Sequence, residues 1–439
     1  MARRFALVLG LIVFGALTLR VVYTVAVTAA PEDHPYDALY YVIQSESIVD
    51  GDGFKEPFGD GPGAHHPPLT TLAIAPATAI FGIPDDTLPQ RLTMCLVGAA
   101  AVGLIGLLGR RVAGDAVGLT AASIAAVYPN LIVNDGIVMA EALTALLVAA
   151  VLLLAYRVRE QRTWAVAAGL GAVCGLAALT RAELVLLLLF VAIPATLGAQ
   201  RSAWRAHLGT TGVVVGVALL VMSPWVIRNL VTFDEPATLS TGDGAVLLGA
   251  NCDRTYSGRF LGVWSIECST AVDDSGDASV VSGRQRDAAF EYIGDHLDRI
   301  PVVAAARLGR AFDVFRPFQT AEFGTREGRP ETVGIAGVLA LWLLAPFVVA
   351  GIVLSRRRPF VVWPLLVPFG IVAAVVVLGY GIPRFRVPAE PSILVLASVA
   401  LVAGWQRVRG RGAQPSAPEP PGVSDASEAS STIAASSSS

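Results

Sequence analysis

Residues 91–133 read RLTMCLVGAAAVGLIGLLGRRVAGDAVGLTAASIAAVYPNLIV. Two apolar runs, 91–109 and 116–133, enclose a short polar connection that carries Arg110 and Arg111. An apolar run of about 20 residues is long enough to cross the hydrocarbon core of a membrane as a helix. The stretch therefore predicts two membrane-spanning helices joined by a short basic loop.

The composition of the whole chain agrees with this pattern. Of 439 residues, 54% are hydrophobic and 15% are charged, against about 45–50% apolar and about 25% charged in soluble domains. This balance excludes an ordinary soluble enzyme and a disordered protein, and a net charge of −3 is not that of a nucleic-acid binder. Only Lys55 among the 32 basic residues is a lysine, which is typical of a GC-rich bacterium.

Ten apolar runs predict ten spans, at about 5–27, 91–109, 116–133, 140–155, 164–180, 184–199, 208–227, 333–354, 360–379 and 391–405.

Arginine clusters determine the predicted orientation. They occupy every second connection between the runs, so the positive-inside rule places these connections and both termini in the cytoplasm. The run Leu69–Gly82 is only about 14 residues long and contains Pro76. If it crossed the membrane, the arginine clusters would lie outside, so we interpret it as an interfacial or re-entrant segment on the outer face. The first run could be a signal peptide, but its length and Arg20 favour a retained helix.

The spans and loops together predict an all-α polytopic membrane protein with about ten transmembrane helices. An N-terminal membrane module covers 1–228 and contains a long first outer loop, 28–90, with interfacial helices. A small extracytoplasmic domain, α/β or irregular, covers 229–332. C-terminal transmembrane helices follow at 333–405, and the Ser/Pro/Ala-rich tail 406–439 is predicted to be disordered and cytoplasmic.

The predicted extracytoplasmic domain contains Cys252 and Cys268. If this region lies outside the cytoplasm, we expect a disulfide between them.

Several polar residues in the outer loops could carry chemistry. Asp37, flanked by aromatic residues such as Tyr40, is a candidate general base: partial burial raises the pKa of a carboxyl, and aromatic rings stack on sugars. A helix N-terminal charge is the alternative. His65 and His66 could donate to phosphate or bind a metal, or form a rigid polar turn. Glu141, at the outer end of a span, is either a functional carboxylate or an interfacial one.

Four arginines at outer span ends are not explained by the positive-inside rule: Arg181, Arg228, Arg384 and Arg386. Guanidinium groups pair bidentately with phosphate and stay charged in a low dielectric, so together they predict a phosphate site. Individually, each could snorkel to lipid headgroups, and Arg181 could form a surface pair with Glu183.

The sequence contains no P-loop, dinucleotide-binding or metalloprotease motif, so a cytosolic nucleotide site is unsupported.

In order and topology, these motifs resemble the GT-C membrane glycosyltransferases, most of all the family 39-like branch of protein O-mannosyltransferases and aminoarabinose transferases. The resemblance covers about 5–400. The family often has Asp-Glu in its first motif, where this chain has Ala38. The matching elements are Asp37-Ala38-Leu39-Tyr40-Tyr41, His66-Pro67-Pro68-Leu69, Glu141, Leu179-Thr180-Arg181, Pro224–Asn229 and Arg384–Pro388.

The resemblance implies a polyprenyl-phosphate sugar as donor and a glycan, lipid or protein as acceptor, with hexosyl, pentosyl or mannosyl-like transfer in the cell envelope. An acceptor hydroxyl would attack the anomeric carbon with inversion, Asp37 would take its proton, and arginines would stabilise the leaving phosphate. No cofactor is then required, although Asp37, Glu141 and a histidine could bind a divalent metal. A lipid-linked sugar flippase or transporter and a non-catalytic membrane scaffold are the alternatives.

Overall fold

The chain folds into helices, because apolar segments in a membrane must satisfy their backbone hydrogen bonds internally. The computed structural model describes residues 2–27, 36–197, 204–356 and 359–412, and within these ranges no β-strand occurs. In chain order the helices are α1 (Ala2–Ala26), α2 (Tyr36–Val49), α3 (Leu69–Phe81), α4 (Leu88–Ala113), α5 (Asp115–Val127), α6 (Pro129–Asp135), α7 (Ala140–Glu160), α8 (Trp164–Ala178), α9 (Val185–Leu187), α10 (Ile193–Leu197), α11 (Trp204–Thr232), α12 (Asp243–Ala250), α13 (Asp253–Tyr256), α14 (Ile266–Ser269), α15 (Ala278–Asp295), α16 (Ile300–Ala311), α17 (Pro317–Gly324), α18 (Glu331–Ser355), α19 (Pro359–Leu378) and α20 (Glu390–Gly412).

Each of the ten predicted apolar runs corresponds to a helix or a helix pair. In the described part of the chain, six helices are long and apolar enough to cross a membrane, and the pair α5–α6, bent by 57°, makes a seventh if it is one span. The other three runs correspond to the shorter helix α8, to the broken helix Ala182–Leu197 that includes α9 and α10, and to α19. The prediction of an all-α polytopic membrane protein is confirmed.

Parts of three predictions fall outside the described residues. These are the start of the first outer loop at 28–35, Arg201 and the pair 357–358 of the basic connections, and the predicted disordered tail beyond residue 412. The first residues of that predicted tail, 406–412, are instead helical, because they continue α20. Helices α1 to α19 and the beginning of α20 belong to one compact unit that ends at Val402. The end of α20 belongs to a second unit.

The hairpin α4–α5 shows how the sequence determines helix packing. Gly114 ends α4 with a φ of 91°, a conformation that L side chains rarely adopt, and its N–H donates to the Arg110 carbonyl at 2.8 Å. Four residues later, a Cβ on Gly118 would lie 2.6 Å from the Gly106 carbonyl oxygen. The tight turn and the small contact residue together let the two helices pack closely in antiparallel order.

An ion pair and a hydrogen bond place two of the predicted arginine connections at one end of the bundle. Arg111, in the last turn of α4, pairs with Glu160 at the end of α7, and Arg162 contacts His207 near the start of α11. Helix α7 has 21 residues and is therefore about 30 Å long. Glu141, in its first turn, lies that far from this arginine-rich end.

The segments predicted to be interfacial form helices that are too short to span. Helix α3 has 13 residues, contains Pro76 and is about 20 Å long, against a hydrocarbon core of about 30 Å. It packs against α2. The Ser45 and Thr78 hydroxyls form one buried hydrogen bond between these two helices at 2.8 Å.

The region predicted as an α/β or irregular domain contains α12 to α17 and connecting loops. Among its described residues there is no strand, so it is helical rather than α/β. The structure joins Cys252 and Cys268 by a disulfide, with their Cα atoms 6.4 Å apart. This bond links the start of α13 to α14, two helices of only four residues each, which cannot be stable alone.

A buried ion pair holds α1 against α6. The Arg20 Nε lies 2.5 Å from the Asp135 Oδ2, and both side chains are buried. Arg20 also donates to the Ala126 carbonyl oxygen at 3.1 Å. A Cβ on Gly98 would lie 2.2 Å from the Asp135 carboxylate, so glycine is required to make room for it.

We expect Arg20→Ala to destabilise the protein by about 3–5 kcal/mol, because it leaves the Asp135 charge buried without its partner. The double variant Arg20→Met, Asp135→Asn should be more stable than the single variant, since it removes both charges. Thermal unfolding in detergent measures both. A single variant as stable as the wild type, or a double variant no better than the single, would contradict this account.

Candidate active site

A cavity of about 370 Å³ lies at the end of the bundle opposite Arg111 and Glu160. Six chain segments, distant from one another in sequence, form its walls. They are the start of α2, the loop before α3, the start of α7, the connection after α8, the start of α12, and the segment from the end of α19 to residue 385. Its polar lining residues are Asp37, Tyr41, His65, His66, Glu141, Thr180, Arg181, Glu183, Ser240, Asp243, Tyr380 and Arg384.

Asp37 lies in the first turn of α2, where the helix dipole favours a negative charge. Its Oδ2 accepts a hydrogen bond from the Arg384 Nη2 at 2.8 Å, and its Oδ1 is 3.6 Å from the His66 Nε2. Burial alone raises the pKa of this carboxyl, but Arg384 and His66 outweigh burial and hold the pKa well below its usual range. The expectation that burial raises the pKa is therefore corrected: Asp37 is an ionised carboxylate.

Glu141 is 1% exposed and occupies the first turn of α7. Its Oε1 lies 3.2 Å from the Arg181 Nη1 and 3.8 Å from the Arg384 Nε. In the described structure its second oxygen, Oε2, accepts no hydrogen bond. Arg384 is therefore shared by two carboxylates, Asp37 and Glu141.

The Arg384 guanidinium keeps unused hydrogen-bonding capacity. It belongs to the 3-10 segment Pro383–Ala389, which follows α19. Within the described ranges its Nε donates no hydrogen bond, and its Nη1 reaches only the Met139 sulfur at 3.9 Å. A phosphate in the cavity could accept from Nη1, whereas the Nε atom itself is buried.

The two histidines are held by the aromatic residues of α2. The His66 ring lies 4.9 Å from the ring of Tyr41 and 5.1 Å from that of Tyr40. The backbone N–H of His65 donates to the Tyr40 hydroxyl at 3.2 Å. The backbone carbonyl of His65 accepts from the Ser240 hydroxyl at 2.5 Å. Burial lowers the pKa of His65 to about 4, so this side chain is neutral at neutral pH.

Three residues predicted from the sequence do not line the cavity. Tyr40 is fully buried, and its hydroxyl donates to the Glu56 carboxylate at 3.2 Å. Arg228 donates to the backbone carbonyls of Gly63 and Phe54 at 3.2 and 2.9 Å. Arg386, also fully buried, pairs with two carboxylates, at 2.7 and 2.8 Å from those of Asp313 and Glu390.

Two charged residues near the cavity were not predicted from the sequence. Glu327 ends the 3-10 turn Thr325–Glu327, and its Oε1 lies 3.7 Å from the Arg384 Nε. Arg329 lies two residues later, with its Nε 3.8 Å from the Glu327 Oε2. In the sequence, the only sign of these two residues is a pair of opposite charges immediately before a predicted span. The surrounding Thr325–Pro330 stretch has the composition of an ordinary polar connection, so this pair does not stand out.

The residues at this site do not fit the divalent metal considered from the sequence. In the described residues no group of three or more His, Cys, Asp or Glu side chains is arranged to hold a metal ion. Asp37 and Glu141 both face Arg384. A guanidinium between two carboxylates takes the place that a cation would need, so no step below passes through a metal.

Comparison with known proteins gives a family match over part of the chain and a similar fold. Residues 65–227 match the family model of the dolichyl-phosphate-mannose-protein mannosyltransferases. No curated protein sequence matches the chain.

Solved structures are similar over nearly the whole chain. The apo oligosaccharyltransferase of Archaeoglobus fulgidus has a TM-score of 0.57 at 16% identity, covering 93% of this chain and 51% of that one. The same organism's AglB, with an inhibitory peptide and a dolichol-phosphate, has a TM-score of 0.54 at 15% identity, covering 91% and 51%. ArnT from Cupriavidus metallidurans, bound to undecaprenyl phosphate, has a TM-score of 0.45 at 14% identity, covering 90% and 78%.

The chain thus spans about half the length of the two archaeal structures. At these identities the similarity concerns the fold. Together with the family match over α3 to α11, it confirms the resemblance inferred from the motifs: this chain is similar to the family 39-like GT-C glycosyltransferases and has their fold.

Proposed function

We propose that the chain transfers a sugar from a polyprenyl-phosphate donor to an acceptor hydroxyl. The observation that carries this proposal is the 2.8 Å contact between the Asp37 carboxylate and the Arg384 guanidinium, inside a cavity that also contains Arg181 and Glu141. A base and a phosphate-binding cation thereby lie side by side, as transfer from a sugar phosphate requires. The family match, and the dolichol-phosphate in the AglB structure, support the donor class.

The reaction begins with the acceptor hydroxyl. Asp37 is ionised and is 23% exposed toward the cavity, so it can take the hydroxyl proton as the oxygen attacks the anomeric carbon. The new glycosidic bond forms as the bond from the anomeric carbon to the phosphate oxygen breaks. Attack from the side opposite the phosphate inverts the configuration of the sugar.

The leaving group is polyprenyl phosphate, which takes the electron pair of the broken bond. Arg384 offers its Nη1 to the phosphate, and Arg181 contributes a second guanidinium within the same cavity. These groups are already oriented by Glu141, so they stabilise the developing charge with little reorganisation. The apolar faces of the bundle would hold the polyprenyl chain.

The proposal extends to topology. The cavity opens on the extracytoplasmic face, both termini are cytoplasmic, and the region 229–332 covers the site and selects the acceptor. Ser240, Asp243 and Leu247, from the beginning of that region, line the cavity wall, which supports this role.

A donor panel tests the proposed activity. Purified protein in nanodiscs is offered polyprenyl-phosphate hexoses and pentoses, mannose included, with glycan, lipid and peptide acceptors. We expect free polyprenyl phosphate and glycosylated acceptor to appear together from one donor. Lipid scrambling in proteoliposomes without any transfer would instead indicate a flippase, and a binding partner whose activity requires the protein but not Asp37 would indicate a scaffold.

A further inference from the structure

Seven charged side chains form one connected network at the cavity. Arg181 contacts Glu141 and Glu183, with N···O distances of 3.2 and 2.6 Å. Arg384 contacts Asp37, Glu141 and Glu327, and Arg329 contacts Glu327. Four carboxylates thus face three guanidinium groups, so the arginines alone leave one negative charge unbalanced at a site proposed to bind phosphate, and His66, 3.6 Å from Asp37, is the other basic group there.

Glu327 differs from the other three carboxylates in its position. It does not line the cavity and comes from the turn before α18, whereas Asp37, Glu141 and Glu183 are cavity-lining residues. Its Oε1 is 3.7 Å from the Arg384 Nε, beyond hydrogen-bond distance, and that Nε donates to no other group in the described structure. Glu327 therefore reduces the positive potential at Arg384 without accepting a hydrogen bond from the Arg384 Nε.

The donor and the product of the proposed reaction differ in charge. A polyprenyl-phosphate sugar is a phosphodiester with one negative charge, whereas free polyprenyl phosphate is a phosphomonoester that carries between one and two near neutral pH. An additional carboxylate beside the phosphate-binding arginine repels the more highly charged species more strongly.

We propose, on the basis of the function proposed above, that Glu327 tunes the phosphate affinity of Arg384 and promotes release of the polyprenyl-phosphate product. It acts through Arg384 and has no contact with the reacting atoms, so it is a positioning residue that sets the charge of the site. Product release limits turnover in many enzymes, which gives such a residue a direct effect on rate.

Direct binding of undecaprenyl phosphate tests this inference without requiring turnover. Its affinity is measured for purified wild type, Glu327→Gln and Glu331→Gln in nanodiscs. Glu331 undergoes the same chemical change, four residues away, and is exposed at the beginning of α18. We expect Glu327→Gln to bind roughly tenfold more tightly, since the repulsion from one charge at this range is worth about that factor, and Glu331→Gln to match the wild type.

A double variant tests whether the effect passes through Arg384. Glu327→Gln should tighten binding by a larger factor in the wild-type background than in an Arg384→Gln background, because repulsion between Glu327 and the phosphate is present in both, whereas the Glu327–Arg384 ion pair is present only in the first. During turnover, the inhibition constant of undecaprenyl phosphate should fall by a larger factor than the KM of the donor. A merely structural role for Glu327 would not produce this split.

The outcomes separate this inference from the proposed function. If the wild type binds undecaprenyl phosphate and Glu327→Gln binds it equally or more weakly while unfolding at the same temperature, the role of Glu327 is refuted and the proposed function stands. If neither the wild type nor Glu327→Gln binds undecaprenyl phosphate, the role of Glu327 is refuted, and the donor panel decides separately whether the proposed function stands.

Discussion

We expect Asp37→Asn to lower the kcat of sugar transfer by about 10²–10⁴-fold, the range typical of the removal of a general base. The asparagine keeps the shape of the side chain but cannot accept the proton of the acceptor hydroxyl. The donor KM should not rise, because the substitution leaves Arg384 free of one competing carboxylate. Initial rates of polyprenyl phosphate release at saturating donor and acceptor measure the effect.

Asp50→Asn is the matched control for this variant. Asp50 is an exposed aspartate immediately after α2, about 13 residues along the same outer loop. It should transfer at the wild-type rate. Full activity of Asp37→Asn would refute the assignment of the base, and equal losses in both variants would indicate damage to the loop rather than to the chemistry.

We expect Arg384→Gln to lower kcat/KM by about 10²–10³-fold, comparable to the loss of one preorganised donor to a developing oxyanion. It also changes the pH profile. In the wild type, Arg384 and His66 outweigh the burial of Asp37 and hold the pKa of that carboxyl low, so the acid limb of kcat/KM lies below the usual carboxyl range. Without Arg384 the pKa of Asp37 rises, the carboxylate takes up its proton at higher pH, and the acid limb moves to higher pH.

Arg181→Gln provides the comparison for this shift. Arg181 pairs with Glu141 and Glu183 and makes no ion pair with Asp37 in the described structure. We expect it to lose activity while its acid limb stays close to that of the wild type. An acid limb that does not move in Arg384→Gln would show that Asp37 is not the group being titrated, even if activity falls as predicted.

The apolar helices could be predicted from the sequence because the hydropathy of each run is a local property of the chain. Ten apolar runs became helices or helix pairs, and the 14-residue run at Leu69 became the short helix α3. Parity and the arginine connections then assigned Asp37, Glu141, Arg181 and Arg384 to one side of the bundle. The cavity contains all four.

Hydropathy could not show whether Arg384 or Arg386 lines the cavity. Arg384 and Arg386 are two residues apart in one short motif, so the sequence treats them alike. In the structure they lie on the segment Pro383–Ala389, whose 3-10 winding of about three residues per turn separates their directions. Arg384 reaches Asp37, whereas Arg386 pairs with Asp313 inside the protein.

The sequence by itself determined that the chain is a bundle of apolar helices, because each helix is encoded by one apolar run of about 20 residues. It also indicated that carboxylates, histidines and arginines gather at one end, because basic connections alternate along the chain. Only the tertiary structure decided which charges pair. Ion pairs form between side chains up to 347 positions apart, such as Asp37 and Arg384, and their partners depend on how helices pack rather than on any local pattern. Glu327 shows this most directly, since only packing brings this ordinary loop carboxylate to Arg384.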